Sequence, residues 1–167
     1  EWFSWGNDGA TIPNAGVTRT ENYTLAGQPF NITCRLSNIT RVAGTTSGNY
    51  LESYRSGTWQ GDGFDSLYNI GGVDAANTMV VGLSNRTQGT TISVDFSCSA
   101  TLAGNPFPLA GLVMADAEAS GGTEYVGATI PTTATWRILD RVRGANCTLD
   151  TYAKRTVTGS ANTLQLY

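Results

Sequence analysis

The sequence predicts an all-β protein, an antiparallel β-sandwich or jelly roll with long loops. Apolar and polar residues alternate strictly in Phe30–Leu36 and in Ile92–Cys98, the pattern of strands with one buried face. Strand signals recur about every 10–15 residues, with turn residues between them. The 20 glycines and 5 prolines favour many turns, and no heptad pattern indicates a helical bundle.

The predicted strands follow one another along the chain. The first is residues 28–36. Thr78–Leu83 and Thr90–Cys98 are predicted to form a hairpin-like pair, since only a short connection separates them. The remaining predicted strands are Leu109–Met114, covered on both faces, and then Glu124–Ile130, Thr135–Leu139 and Asn162–Tyr167. The long loops at 41–60 and 61–75 are where we expect binding, because loops carry most binding sites on such scaffolds.

Length and composition indicate a single domain, residues 1–167, with no internal repeat and no linker. Nothing resembles a signal peptide, and the longest apolar run, Leu109–Ala115, is too short to cross a bilayer. We therefore expect no membrane insertion in this segment. Because the chain begins at Glu1 rather than at a methionine, we expect it to be a mature or excised segment.

Charge and composition exclude several classes of function. The net charge is −3 and no basic patch is evident, which argues against binding of nucleic acid. The sequence has no histidine, which removes Ser-His-Asp and Cys-His catalytic sites and every His-ligated metal site. An enzyme would have to depend on paired carboxylates or on Lys154, the only lysine.

The three cysteines indicate an oxidising environment rather than a zinc site. Their spacing matches no zinc pattern, and Cys34 and Cys98 each lie on the apolar face of an alternating strand. We expect these two to form a disulfide, which leaves Cys147 free or paired beyond Tyr167. A Cys98–Cys147 disulfide and three buried thiols are the alternatives.

The loop Gly57–Asp65 is the predicted centre of a binding surface. It combines three glycines with Trp59, Asp62, Phe64 and Asp65. An aromatic ring stacks on the C–H groups of a sugar, and carboxylates accept hydrogen bonds from its hydroxyls. The alternative for Trp59 is packing into the core beneath a turn. We expect packing also for Trp2 and Trp5, at one end of the sandwich.

A second group of candidate residues consists of Asp116, Glu118 and Glu124. Asp116 and Glu118 are two positions apart, so on a strand they share a face. We expect a structural role, in which the carboxylates cap loop N–H groups and pair with Arg137, Arg141 or Arg143. The alternatives are hydrogen bonds to sugar hydroxyls and a calcium site at Asp116 and Glu118, because calcium prefers oxygen ligands. We expect no other cofactor and no catalytic metal.

Several segments resemble one known family. Pro108–Ser120, with Ala115-Asp116-Ala117-Glu118 at its centre and Glu124-Tyr125 after it, is similar to the core of the CshA-type bacterial surface adhesin non-repetitive domain. The opening Trp2-Phe3-Ser4-Trp5 is similar to the Trp-rich start of that family. Gly57-Thr58-Trp59 and Thr135-Trp136-Arg137 resemble its other aromatic landmarks. The resemblance extends from the start of the chain to about Arg143.

The resemblance implies a lectin-like β-sandwich near the ligand-binding tip of a bacterial surface fibril or adhesin. It also implies binding of a host extracellular-matrix protein such as fibronectin, or of a glycan on a partner cell. From the family we expect the domain to continue beyond Tyr167, where a final strand or the partner of Cys147 would lie.

Three classes of function follow, in order of preference. The first is a non-catalytic adhesion module at the cell surface, wall-anchored or fibril-associated, and monomeric within a larger surface protein. The second is a structural stalk or spacer, which would need only short loops, unlike the loop at 57–65. The third is a glycoside hydrolase that uses Asp62 and Asp65, or Asp116 and Glu118, as acid and base. A chain of 167 residues leaves little room for the cleft that such an enzyme needs.

Overall fold

The structure is a computed structural model that describes residues 2–42, 50–55, 79–86, 90–115, 125–139 and 153–166. These residues form ten strands and their turns, with no helix among them. Within the same ranges there is accordingly no helix that could cross a membrane. All strand pairs are antiparallel, which confirms the all-β antiparallel prediction. The jelly-roll or lectin-like arrangement of the sheets stays a prediction.

The main sheet contains four strands in the order β2-β3-β6-β7. They are β2 Val17–Leu25, β3 Gln28–Val42, β6 Thr91–Leu102 and β7 Asn105–Phe107. The strands predicted at 28–36 and 90–98 are confirmed. Phe30, Cys34 and Leu36 are buried, as the alternation requires, and the residues between them are more exposed. β3 is the central strand, because it pairs with β2 on one side and with β6 on the other.

A β-bulge interrupts β3 before its last residues. The register with β6 shifts between Ser37 and Thr40, where β3 has one residue more than its partner. Asn38 takes a positive φ of 51° at this point, a conformation that Asn tolerates better than most residues. Its Nδ2 donates to Oδ2 of Asp95 at 2.6 Å. The bulge directs Ile39 into the core, where it is 6% exposed.

A small sheet contains three short strands in the order β1-β4-β5. They are β1 Thr11–Ile12, β4 Leu51–Tyr54 and β5 Gly82–Asn85. The predicted hairpin between residues 78–83 and 90–98 is wrong, because β5 pairs with β4 while β6 pairs with β3. Alternation determines which face of a strand is buried, but not which strand lies beside it.

The small sheet and the main sheet share one hydrophobic core. Its buried members are Trp5, Ile12, Cys34, Leu36, Ile39 and Leu51. Burial of an aliphatic or aromatic side chain stabilises the fold by roughly 1.5–3 kcal/mol. Trp5 is 5% exposed and makes edge-to-face contacts with Phe3 and Phe96, at 4.9 and 5.9 Å between ring centroids. The packing role expected for Trp5 is therefore confirmed.

The C-terminal sheet has the strand order β8-β10-β9. Its strands are β8 Val126–Pro131, β9 Ala153–Thr158 and β10 Ala161–Leu166. β8 and β10 correspond to predicted strands, whereas β9 was not predicted. Asn162 in β10 is 1% exposed, although it shares a face with the buried Leu164. A buried amide is stable only if it is hydrogen-bonded, and Asn162 has such partners in Arg155 and Ala134.

Two segments predicted as strands are irregular, residues 109–114 and 135–139. Leu112 and Val113 are 53% and 67% exposed, and Leu139 is 59% exposed. In the second segment, Trp136 donates from Nε1 to the carbonyl of Asn162 at 2.9 Å instead of continuing β8. An apolar run predicts burial, but it does not identify the surface against which the run packs. For residues 109–114, the expectation of a strand covered on both faces is wrong.

The main sheet contains a repeated hairpin, which corrects the expectation of no internal repeat. Thr-Leu-Ala-Gly-x-Pro-Phe occurs at residues 24–30 and again at 101–107. Both copies form a two-residue turn with positive φ, at Ala26-Gly27 between β2 and β3 and at Ala103-Gly104 between β6 and β7. The two turns lie side by side, since the Ala103 N–H donates to Pro29 O at 2.8 Å. Such turns match the twist of the paired strands.

Candidate functional site

The predicted binding loop belongs to the connection between β4 and β5. Trp59, Asp62, Phe64 and Asp65 all lie outside the described residues, so the structure gives only the base from which their connection leaves. Tyr54 is the last residue of β4 and pairs with Gly82, the first residue of β5. The connection therefore leaves and returns at the same end of the small sheet.

Ser53 fastens the turn Asn7–Ala10 to this base. Its side chain is fully buried, and its Oγ donates to the Asn7 carbonyl at 2.5 Å. The main chain adds two bonds, from Gly9 N to Ser53 O and from Ser53 N to Ala10 O, each 2.9 Å long. A buried hydroxyl with a carbonyl partner avoids the penalty of an unsatisfied polar group. This arrangement holds the turn beside the start of the connection.

Both ends of the β4–β5 connection are fixed by the N-terminal residues. On the outgoing side, the Arg55 N–H donates to Oδ1 of Asp8 at 2.7 Å. On the returning side, the Trp5 N–H donates to the Val80 carbonyl at 2.7 Å. Because Trp5 is part of the core, the returning chain is anchored to the best-packed part of the molecule. Gly6-Asn7-Asp8-Gly9 has the composition of a turn, but nothing in the sequence indicates that this turn anchors the connection.

Gly82 allows the two strands to approach closely at the base. A Cβ atom on Gly82 would lie 2.8 Å from the Tyr54 carbonyl oxygen and 3.0 Å from Cδ1 of the Tyr54 ring. Because a Cβ atom almost never lies 2.8 Å from a carbonyl oxygen, a larger residue at this position would have to move the two strands apart. The Tyr54 ring thus lies over the first residue of β5, at the point where the connection returns.

The other long loop leaves from the opposite end of β4. Tyr50 precedes β4, and its carbonyl accepts a hydrogen bond from the Arg86 N–H at 3.0 Å. The Arg41 guanidinium lies 5.9 Å from the centroid of the Tyr50 ring, within the range of a cation–π contact. Because β4 separates them, residues 43–49 and 56–78 start at different ends of one strand. The expected loop at 41–60 is therefore wrong in part, because β3 extends to Val42 and β4 lies within the range. Residues 56–60 belong with 61–75 to the β4–β5 connection.

The outer face of the small sheet carries a polar group of four side chains. Arg86 lies 3.9 Å from Glu52 and donates to the hydroxyl of Thr11, and Ser84 donates to Glu52 at 3.2 Å. Both charged side chains are partly exposed, and such pairs contribute at most about 1 kcal/mol. The group joins β1, β4 and β5 across their outer face, which is a structural role.

The second group of candidates, Asp116, Glu118 and Glu124, also lies outside the described residues. Their described neighbours are Ala115 and Tyr125, both exposed. In the part of the chain that the structure describes, no three Cys, Asp or Glu side chains are grouped closely enough to hold a metal ion. The structural role and the calcium site both stay predictions.

The predicted disulfide is present between Cys34 and Cys98. The two residues are directly opposite each other on β3 and β6, on the face of the main sheet that faces the core. The alternatives, a Cys98–Cys147 disulfide and three buried thiols, are therefore wrong. Cys147 itself lies outside the described residues.

Comparison with protein families gives a match that covers nearly the whole chain. Residues 1–166 match the model of the surface adhesin CshA non-repetitive domain 2. No curated protein and no solved structure matches the chain. The matched range includes the aromatic opening, the β4–β5 connection and the acidic segment on which the resemblance was based. The chain thus belongs to the family of CshA non-repetitive domain 2, and it is a surface adhesin domain.

Proposed function

We propose that this domain is a non-catalytic adhesion module that binds a host extracellular-matrix protein, such as fibronectin, or a cell-surface glycan. Membership of a surface-adhesin family across residues 1–166 carries the proposal. The domain acts outside the cell as a monomeric unit of a larger surface protein, wall-anchored or fibril-associated. Its sheets have the lectin-like sandwich arrangement that the resemblance implies.

The β4–β5 connection is the proposed binding surface. Two short strands need only a few residues to turn from one into the other, whereas this connection extends from residue 55 to residue 81. Its base is held by Asp8, Ser53 and the buried Trp5. A binding loop on a fixed base loses less conformational entropy on binding than one on a mobile base.

The chemistry of the loop fits a sugar or a polar protein surface. Trp59 and Phe64 provide ring faces, and Asp62 and Asp65 provide acceptors for hydroxyl and N–H groups. Aromatic side chains carry a large share of the energy at many interfaces. Three glycines in the same loop let a ligand approach the main chain closely.

Binding of the isolated domain to immobilised fibronectin and to a glycan array tests this proposal. We expect binding to one of these. Asp62→Ala should weaken it by about 10- to 100-fold, since hydrogen bonds to charged groups contribute about 1.5–3 kcal/mol. Thr20→Ala is the matched control, because Thr20 is exposed on the outer face of β2 in the main sheet, whereas the connection leaves from the small sheet. The control variant should bind like the wild type.

Two other results of these experiments would contradict the proposal and favour a different class of function. Failure to bind any matrix protein or glycan would favour a stalk or spacer domain. Cleavage of a polysaccharide, abolished by Asp62→Asn or Glu118→Gln, would favour a glycoside hydrolase.

Calcium is a separate question, because Asp116 and Glu118 are candidate oxygen ligands. We propose that these carboxylates are structural, so EDTA should leave the Tm unchanged. A decrease in Tm that calcium restores would show that a calcium ion is bound instead.

A further inference from the structure

The two copies of the repeated hairpin differ in one respect, the length of the strand that follows the turn. After the turn at Ala26-Gly27, β3 pairs with β2 back to the Leu36–Val17 pair. After the turn at Ala103-Gly104, β7 ends at Phe107, opposite Ala100. Among the described residues, β6 from Thr91 to Ser99 therefore has a strand on its β3 side only. An unpaired edge of this length is a template for another strand.

The residues after β7 have the pattern that would fill this edge. In the first copy, the core-facing residues after Phe30 are Ile32, Cys34 and Leu36. The equivalent positions after Phe107 are Leu109, Gly111 and Val113, so the spacing of apolar and small residues is conserved between the copies. Residues 108–115 contain no charged side chain, and Val113 is 67% exposed where it lies now.

We propose that residues 108–115 are a closing strand, which extends β7 along the edge of β6 that no described strand covers. A two-residue turn fixes the register of the strands that it joins. Continuing the register of the Ala100–Phe107 pair places Ala110 opposite Ser97, Gly111 opposite Phe96 and Val113 opposite Val94. The described conformation is the released state of this strand. The proposal concerns the main sheet and does not depend on the proposed ligand.

Two apolar side chains that are exposed in the released state, Phe96 and Val113, would gain contacts in the closed state. Phe96 faces the core side of the sheet, yet it is 45% exposed. A strand with glycine opposite Phe96 leaves room for the ring to lie across it, a common arrangement of glycine and aromatic residues on neighbouring strands. Val113 would move from solvent to a position beside Val94, a partly buried neighbour of the core. Ala110, Leu112 and Met114 would then lie on the outer face.

The edge of β6 is more readily paired by residues 108–115 of the same chain than by a separate peptide. Residues 108–115 follow directly after a strand that is already paired with β6, so their effective concentration at the edge is high. Their length also fits the free edge from Thr91 to Ser99. A separate peptide loses translational entropy when it binds, whereas residues 108–115 do not, because they are already attached to β7.

Cysteine cross-linking tests the register directly. In a Cys147→Ser background, Ser97→Cys with Ala110→Cys places two thiols opposite each other in the closed state, at a distance that a disulfide can span. Ser93→Cys with Ala110→Cys is the control, four residues out of register. We expect the first pair to lose its free thiols on air oxidation, with a 97–110 link in the peptide map, and the second pair to keep them. No link in the first pair, or equal links in both, would overturn the proposal.

Hydrogen exchange of the wild-type chain gives an independent test that needs no variant. In the closed state, the Thr91–Ser99 amides that point away from β3 are hydrogen-bonded, so they should exchange more slowly than amides of a free edge. Exchange at the rate of a free edge contradicts the proposal. Protection that appears only with added fibronectin or glycan, without the 97–110 link, would assign the edge to a partner instead.

Discussion

Cys34 and Cys98 face each other directly across β3 and β6, with their Cα atoms 4.1 Å apart. The disulfide joins residues separated by 64 positions, and closing a loop of this length stabilises a fold by about 4 kcal/mol in the chain-entropy account. We therefore expect Cys34→Ala with Cys98→Ala to lower the free energy of unfolding by about this amount. Denaturation in urea, monitored by intrinsic fluorescence, measures the change.

The third cysteine provides the control for this prediction. Cys147→Ser should leave the disulfide and the urea midpoint unchanged, because Cys34 already pairs with Cys98. Peptide mapping without reductant should yield the linked peptides from the wild type and from Cys147→Ser, which both retain this pair. Alkylation of Cys34 and Cys98 in the unreduced protein would show that the disulfide is absent.

The sequence predicted this disulfide because the alternation of Phe30–Leu36 and of Ile92–Cys98 placed both cysteines on buried faces. It did not predict that the two strands are neighbours in one sheet. Alternation reflects local burial, whereas strand pairing depends on contacts between residues far apart in the chain. For the same reason, the partner of β5 was predicted wrongly and β9 was missed.

Asn162 is the buried polar centre of the C-terminal sheet. Its Oδ1 accepts from Arg155 Nε at 2.9 Å, its Nδ2 donates to the Ala134 carbonyl at 3.3 Å, and its own carbonyl accepts from Trp136. Asn162→Ala removes the first two bonds and leaves the Ala134 carbonyl without this donor. We expect the free energy of unfolding to fall by about 2–3 kcal/mol.

Thr163→Ala is the matched control for Asn162→Ala. Thr163 is the next residue of β10, on the opposite face, and its Oγ1 hydrogen-bonds to Thr129 at the surface. Loss of this exposed bond should change stability by less than about 1 kcal/mol. In both variants, the indole N–H signal of Trp136 in an NMR spectrum shows whether the structure around residue 162 is still ordered. Equal effects of the two substitutions would contradict the role given to Asn162.

Gly16 is a second position where the fold depends on one residue. Its φ is +94°, and a Cβ atom would lie 2.2 Å from the Leu36 carbonyl oxygen. Gly16→Ala must therefore move the start of β2 away from β3, and we expect a loss of about 3 kcal/mol or more. Gly9→Ala is the control, because Gly9 also has a positive φ but nothing lies within 4 Å of its Cβ position. It should cost only about 1 kcal/mol. A Tm decrease of equal size in both variants would refute the steric argument.

The repeated hairpins predict a pair of stabilising substitutions. Ala26 and Ala103 both have a φ of 49°, a region that disfavours alanine and that asparagine tolerates. Ala26→Asn and Ala103→Asn should each raise the free energy of unfolding by about 0.5–1 kcal/mol, because Asn-Gly is the preferred sequence of this turn. Ala110→Asn, in the irregular segment, should not stabilise. The Tm values of the three variants and the wild type test this prediction. A lower Tm for both turn variants would contradict it.

The repeat is visible in the sequence, but it is hard to recognise because it is only seven residues long and its copies lie far apart. The signal was the recurrence of Leu-Ala-Gly before a Pro-Phe pair. What the sequence alone could not supply is that both copies are adjacent in one sheet. For the β4–β5 connection the sequence is more informative than the structure. Its composition indicates a binding site, whereas the structure describes only the base of the connection.

Trp59 separates the two interpretations of the β4–β5 connection. If its ring lies at the ligand surface, Trp59→Ala should abolish binding to fibronectin or glycan and change the free energy of unfolding by less than about 0.5 kcal/mol, as for an exposed loop residue. If the ring packs into the core, the same substitution should destabilise the domain by about 3–5 kcal/mol. Trp5→Ala is the matched control, because Trp5 is 5% exposed within the core cluster and should show the larger loss. We expect Trp59→Ala to behave unlike Trp5→Ala, with wild-type urea denaturation and no measurable binding. Similar urea midpoints for the two variants would place Trp59 in the core and move the binding surface to Asp62 and Asp65.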